Sequence, residues 1–156
     1  MGVLPDSSLT VRKLASAPRH VIGTAAYFAR SGTPATPAEL AAHAAVIYVQ
    51  ETGGDKWSFR RGATELSVSM SGPLRVTAAE GVRAGALASL GVAIASVWMF
   101  SPELASGEVR AVLTDWSLPS LDLWAAYPAG RMPTAKARAF AKFVKSELRH
   151  VNIPVG

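Results

Sequence analysis

The chain has 156 residues, 49% of them hydrophobic, with sixteen basic and eleven acidic side chains and a formal net charge of +5. That is enough apolar material for a full domain or two small lobes sharing a sheet, and it excludes a disordered chain. There is no cysteine, which excludes disulfides, thiolate metal sites and a cysteine nucleophile and is compatible with a reducing cytoplasm. The basic residues are scattered, so nothing in the charge pattern demands nucleic acid.

Pro5, Asp6, Ser7 and Ser8 occupy the place where a signal peptide needs an apolar run, so the start reads as a turn and not as a leader. Leu9-Thr10-Val11-Arg12-Lys13-Leu14 alternates as a strand does, Ala15–Pro18 reads as a short turn, and Arg19–Gly23 reads as the next strand. Thr24 is placed to cap a short helix, Ala25–Arg30, which Gly32 closes. His20 reads as a strand surface residue. Thr36, Pro37 and Glu39 predict a second helix start of capping-box type, anchored by Leu40, with Val46–Val49 as the following strand. Beyond the polar loop Gln50–Lys56, Trp57–Arg60 and Glu65–Met70 predict an antiparallel hairpin turning at Arg61-Gly62, with Leu66, Val68 and Met70 half-buried. Trp57 has the spacing of a core aromatic and the chemistry to stack on a ligand.

The stretch from Arg75 to Phe100 organises the rest. Thr77 and Glu80 have capping-box spacing, Val82, Ala86, Leu87 and Leu90 mark one buried helix face, and Gly91 is read as the left-handed stop. Gly81 and Gly85 form a GxxxG spacing, which in such a helix means close packing. Val92-Ala93-Ile94-Ala95 follows without charge, as a strand covered on both faces does. The uncharged run Ala84–Pro102 therefore reads as helix, stop and strand and not as a membrane span. The free N–H groups near Ala78 and Ala79 would favour a carboxylate in a cleft at the strand ends, although a box can also do no more than start a helix.

Next come a helical turn from Ser101 to Gly107, a strand Val109–Leu113, a loop through Asp115 to Pro119 and a strand Leu121–Tyr127. Thr134 opens the last helix, with Ala137, Phe140, Phe143, Val144 and Leu148 inward and a solvated basic face outward. The alternation of strands and helices around a hairpin argues a mixed α/β sheet. Catalytic signatures are missing: no G-x-S-x-G, Walker loop or H-E-x-x-H occurs, and His20, His43 and His150 lie on separate elements. Asp115 and Asp122 flank a loop and read as turn acids before paired catalytic ones. The chain reads as a binder and not an enzyme, with no cofactor and no metal.

The order of the pieces resembles the effector-binding domain of LysR-type transcriptional regulators. Leu4-Pro5-Asp6-Ser7-Ser8-Leu9 with Arg12 and Leu14 is similar to the family's opening strand. Tyr27-Phe28-Ala29-Arg30 with Gly32, Pro34, Pro37, Leu40 and His43 is similar to its helix pair, and Trp57-Ser58-Phe59 to its W-x-F hairpin. Gly72, Leu74 and Val76 with Ala84–Ile94 resemble its central motif, and Glu103-Leu104, Gly107, Val112-Leu113 and Trp116 its return segment. Tyr127-Pro128 with Lys136, Arg138-Ala139-Phe140 and Phe143 resemble the final strand and helix. Thr77 stands where the family usually has Asn, and Val92–Val97 depart from its usual G-I-A-x-L-P strand.

The resemblance implies a periplasmic-binding-protein-like type II α/β fold with a complete second lobe at 23–120. Residues 1–22 and 121–148 would form part of the first lobe and 149–156 a tail, with hinge crossovers near 20–24 and 118–123. The helix-turn-helix DNA-binding domain of the family lies outside this chain, so DNA contact would run through an N-terminal domain not present in it. The implied function is binding of a small, anionic organic effector between lobes to modulate transcription, in a cytoplasmic homo-oligomer without membrane contact. Val49, Gln50, Trp57, Thr77, Ala78 and Ser96 are the expected effector-binding residues. Gln50 would supply a hydrogen bond, Trp57 an apolar wall, Thr77 and Ala78 the helix N-terminus and Ser96 a hydroxyl. The alternative is a solute-binding protein of a transporter with the same two-lobed fold. A half lobe would leave faces of Leu9, Val11, Leu123 and Phe140 uncovered, predicting self-association or poor solubility.

Overall fold

The computed structural model describes residues 2–3, 9–49 and 54–150. In chain order the elements are β1 (Gly2–Val3), β2 (Leu9–Ala17), β3 (Arg19–Thr24), α1 (Ala25–Ser31), a 3₁₀ helix (Pro37–Ala42), β4 (Val46–Tyr48), β5 (Lys56–Arg61) and β6 (Thr64–Ser69). They continue with β7 (Leu74–Val76), α2 (Ala79–Leu87), β8 (Ala93–Ser96), α3 (Ser101–Ser106), β9 (Val109–Val112), β10 (Leu121–Pro128) and α4 (Ala135–His150). Two compact units result: Pro18–Pro119, and the described residues up to Ala17 together with those from Ser120 onward.

In the larger unit, β3 pairs antiparallel with both β8 and β9, while β4 pairs parallel with β7. A parallel bridge between Ala45 and Val92 joins the two sets into one mixed sheet. Successive residues of a strand point to opposite faces, and here both faces are covered. Val21 and Ile47 enter one core cluster with Tyr27, Leu40, Phe59 and Trp116, while their neighbours Ile22 and Val46 enter the other with Val82, Ala86 and Phe100. The same rule explains the uncharged β8, where Ala93 and Ala95 face the second cluster and Ile94 packs on the first.

Helix α2 sits close on this sheet because Gly81 and Gly85 carry no Cβ. One at Gly85 would lie 2.6 Å from the Leu74 side chain, and one at Gly81 3.1 Å from that of Val76. The start of α2 differs from the sequence expectation. Ala78 is the N-cap, in extended geometry, and no side chain caps the helix. The carbonyl of Ala78 takes the first turn's N–H groups, from Gly81 at 3.1 Å and Val82 at 3.3 Å. Glu80 is then the second helical residue and not the third, and the box spacing is lost. The end differs as well. Ser89, at φ 56°, is the left-handed residue beyond Leu87, and Leu90 is 41% exposed and not part of the buried face. Ser89 is held there by its hydroxyl contact with Thr24 Oγ1 (2.5 Å) and by Arg30, which donates to its carbonyl (3.0 Å).

Thr24 caps α1 as its position predicts, accepting from the Tyr27 N–H at 3.1 Å. The segment after Thr36 is a 3₁₀ helix and not α, and the Thr36 side chain makes no capping bond. Glu39 still reaches back, accepting from the Ala35 N–H (2.9 Å) and the Thr36 hydroxyl (3.1 Å). In the β5–β6 hairpin Trp57 and Phe59 point into the core, Met70 is buried, and Leu66 is exposed. α2 and β8 occupy the long uncharged run, and among the described residues no helix is long and apolar enough to cross a membrane.

The smaller unit is the antiparallel sheet β1-β2-β10 with α4 packed on β2. β2 runs on to Ala17, through the span read as a turn, because its second half pairs with β10 across an irregularity at Leu123/Trp124. Asp122 receives Lys13 Nζ (2.7 Å) and the hydroxyls of Ser16 and Ser120, and these contacts, Lys13 first, hold its carboxyl below the usual range. On α4, Ala137, Ala141, Val144 and Leu148 form a narrow inward stripe. Phe140 and Phe143 flank it at 67% and 59% exposure, outside the face assigned to them, and Val11 is buried where an uncovered face was expected. α4 extends to His150, into the expected tail, whose remainder lies outside the described residues.

Candidate functional site

Strands β4 and β8 run parallel and end at Tyr48 and Ser96, and antiparallel β3 begins beside them at Arg19. Where such strand ends gather, open α/β sheets leave a crevice. Here it is a cavity of about 260 Å³ lined by Arg19, Tyr48, Lys56, Trp57, Ser58 and Ile94, with Val46, Gly54, Leu118 and Pro119. Trp57 is only 4% exposed and its indole N–H donates to the Gly54 carbonyl at 3.1 Å, so its ring is a fixed wall. Arg19 donates through Nε to the Pro119 carbonyl, and burial pulls its guanidinium below the ordinary value. No carboxylate pairs with Arg19 or Lys56 among the described residues. The cavity thus presents two uncompensated cations beside an indole and a phenol ring.

Of the six residues expected to bind effector, Trp57 lines this cavity. Val49, Thr77, Ala78 and Ser96 do not line it, and Gln50 lies outside the described residues. Val49 and the start of α2 are neighbours, since the Val49 N–H donates to the Val76 carbonyl at 2.7 Å, and Thr77 and Ala78 are exposed there. Ser96 is buried and sits opposite Arg19 in the β3–β8 register. Arg19, Tyr48 and Lys56 were missed. The available signal at Arg19 was a charged residue opening a strand with an apolar centre at Val21-Ile22, and Lys56 opens the mixed strand KWSFRR, where no such contrast exists.

The two loop-flanking acids each have a basic partner: Asp115 binds Arg61 at 2.7 Å, and Asp122 binds Lys13. No group of three or more His, Asp or Glu is arranged to hold a metal among the described residues. His43 is buried, with Nδ1 3.2 Å from the Tyr27 hydroxyl. His20 is not a simple surface residue, because both its ring nitrogens are buried without a hydrogen bond, and desolvation lowers its pKa. A base whose folded pKa lies below its unfolded value of 6.5 gives full stability above that value and loses it as pH falls towards the folded one. The thermal midpoint should therefore drop between pH 7.5 and 5.5, and His20→Gln should flatten that drop. An equal drop in both proteins would show that His20 contributes nothing to it. The depressed carboxyls of Glu103 and Asp122 act in a separate, more acidic window, below their ordinary 4.5 and 3.8.

A mixed α/β sheet covered on both faces, with a crevice at its strand ends, is an architecture of the periplasmic-binding-protein-like type II class. The chain belongs to the LysR substrate binding domain family, whose model matches residues 1–149. It is 32% identical over 153 residues to an HTH-type transcriptional regulator of Xanthomonas campestris pv. campestris, covering 95% of this chain and 44% of that protein. It is 28% identical over 139 residues to the HTH-type transcriptional regulator DmlR of Escherichia coli, covering 88% and 45%. The chain thus spans less than half the length of these relatives. Its fold matches the regulatory domain of CrgA, a LysR-type transcriptional regulator from Neisseria meningitidis, at TM-score 0.79 and 24% identity, over 94% of this chain and 72% of that one. It matches the full-length structure of the Vibrio cholerae virulence activator AphB at TM-score 0.75 and 24% identity, over 92% and 49%. These relatives favour an effector-binding domain of a regulator over a transporter's solute-binding protein.

Proposed function

We propose that the cavity at the ends of β4 and β8 is where this domain takes its effector, a small organic anion with an apolar body. The observation that carries this is the half-buried Arg19 guanidinium, which has no carboxylate partner among the described residues and stands with Lys56 against Trp57 and Tyr48. A desolvated cation gains most from an anionic ligand that replaces lost water, and the rings contribute apolar contact. Val49, Thr77 and Ala78 would extend contact with a longer ligand, whereas Ser96 is buried and Gln50 lies outside the described residues.

In the whole regulator, residues 23–120 serve as the second lobe and residues 1–22 with 121–148 as part of the first. An effector that favours one arrangement of the lobes shifts the equilibrium between them, and a DNA-binding domain outside this chain reports the shift. The working protein is then a cytoplasmic homo-oligomer without enzymatic activity.

The test is a panel of small aromatic and aliphatic carboxylates, each paired with its neutral amide, read by tryptophan fluorescence and thermal shift. A saturable response to a carboxylate and not to its amide is expected, weakened about tenfold or more in Arg19→Gln, as the loss of a charge-assisted bond implies. Equal responses to acid and amide, or an Arg19→Gln variant that binds unchanged, would overturn the reading.

A further inference from the structure

One flank of α4 carries a pattern that its contact with β2 does not use. Lys136, Phe140, Phe143 and Glu147 follow one another at spacings of four, three and four residues, and all four are exposed. These spacings align them in one row, because each helical residue advances the turn by about 100°. By the same rotation the row lies roughly a quarter turn from the inward stripe of Ala137, Ala141, Val144 and Leu148. Arg138, Lys142 and Lys145 fall on the far side of that stripe. The row itself therefore carries one cation and one anion, Lys136 and Glu147, with two phenyl rings between them.

The row has a centre, midway between Phe140 and Phe143 and equally midway between Lys136 and Glu147. The cation stands on its N-terminal side and the anion on its C-terminal side. Among the described residues, neither has an ion-pair partner within the chain. An antiparallel copy of the helix would set Lys136 of each chain against Glu147 of the other, with the rings packed between these pairs. A parallel copy would set like charges together at both ends. The row thus complements itself in one orientation, which is the condition a two-fold contact has to meet.

We propose that this row is the contact between two copies of the chain, joined through antiparallel α4 helices about a two-fold axis. The phenyl rings supply the apolar centre, at 67% and 59% exposure in the single chain, and the two ion pairs close its ends and fix its direction. Four such rings account for on the order of 500 Å², roughly half of what a specific interface buries, so the pair is weak and concentration-dependent. The self-association expected from the sequence thereby acquires a surface and a symmetry. It does not depend on the effector cavity.

Sedimentation velocity of the 156-residue chain, from micromolar to millimolar concentration, tests this. A reversible monomer–dimer equilibrium is expected. Lys136→Glu and Glu147→Lys should each weaken it about tenfold or more, because like charges then face each other at both ends. Mixing the two variants should restore dimers, since each reversed charge meets its opposite on the other chain. Damage to the fold by either substitution would not be rescued in that way. Phe140→Ser combined with Phe143→Ser should give a monomer with the parent's circular dichroism, as both rings lie outside the core. A chain that is monomeric throughout overturns the proposal and leaves the row to another part of a longer regulator. Association that the charge reversals leave unchanged, or a variant mixture that stays monomeric, overturns it as well.

Discussion

Replacing Gly91 with alanine is expected to lower the thermal midpoint by roughly 6–12 °C, the consequence of overpacking worth about 3 kcal/mol in a chain of this size. A Cβ at Gly91 would lie 2.4 Å from the Ala44 carbonyl oxygen and 2.7 Å from its carbon. Those are backbone atoms and cannot swing aside. They belong to the segment that enters β4, where Val92 N–H donates to the Ala44 carbonyl and Val46 N–H to that of Val92, both at 2.8 Å. Relieving the clash therefore pulls apart the bridge between β4 and β8. Gly72 presses on the other side of the same segment, and a Cβ there would fall 1.8 Å from the Ala45 oxygen. Gly72→Ala should accordingly cost at least as much. Differential scanning calorimetry of both variants checks this, and a midpoint within about 2 °C of the parent, less than 1 kcal/mol, would mean the strands can separate cheaply. Because Tyr48 of the candidate cavity lies at the end of β4, ligand affinity should fall along with stability.

Gly91 shows what a sequence can and cannot reveal. That a glycine is required at this point was legible. Its reason was not, because a helix stop and a close backbone approach leave the same letter, and the approach involves Ala44, far away in the chain. Thr77 was misread for a related cause. Thr77-x-x-Glu80 fits a box in one register, but seating Gly81 and Gly85 over Val76 and Leu74 fixes the helix one residue later. Local chemistry that needs no distant partner was read well. Thr24 capping α1, the left-handed Gly107 ending α3 and Thr134 accepting from the Ala137 N–H at 3.2 Å are all set within four residues of chain. On α4 the periodicity was right, but the width of the buried stripe depends on what packs against it, so Phe140 and Phe143 were placed on the wrong side of its edge. The candidate site was the least legible part. Only Trp57 was anticipated among its liners, since Arg19, Tyr48 and Lys56 meet through sheet order and not through spacing.

Phe59→Ala should be the most damaging side-chain substitution in the hairpin, with a loss of about 3–5 kcal/mol in urea or thermal unfolding, while Phe59→Leu should lose under about 1.5 kcal/mol. Phe59 is 2% exposed and shares its cluster with Leu40, Trp57, Met70 and Trp116, so removing its ring opens a cavity bordered by large groups that cannot all collapse inward. The consequence for ligands follows from strand alternation. On β5, Trp57 and Phe59 are buried and alternate with the exposed Ser58 and Arg60, and Trp57 and Ser58 both line the candidate cavity. The hairpin is therefore a single support whose buried rings hold it down while Trp57 and Ser58 present it to the candidate site. In Phe59→Ala the response to a carboxylate should weaken along with stability. If Phe59→Ala lost stability yet kept that response at full strength, the hairpin would be held by its backbone bonds to Ser117 and not by its buried rings.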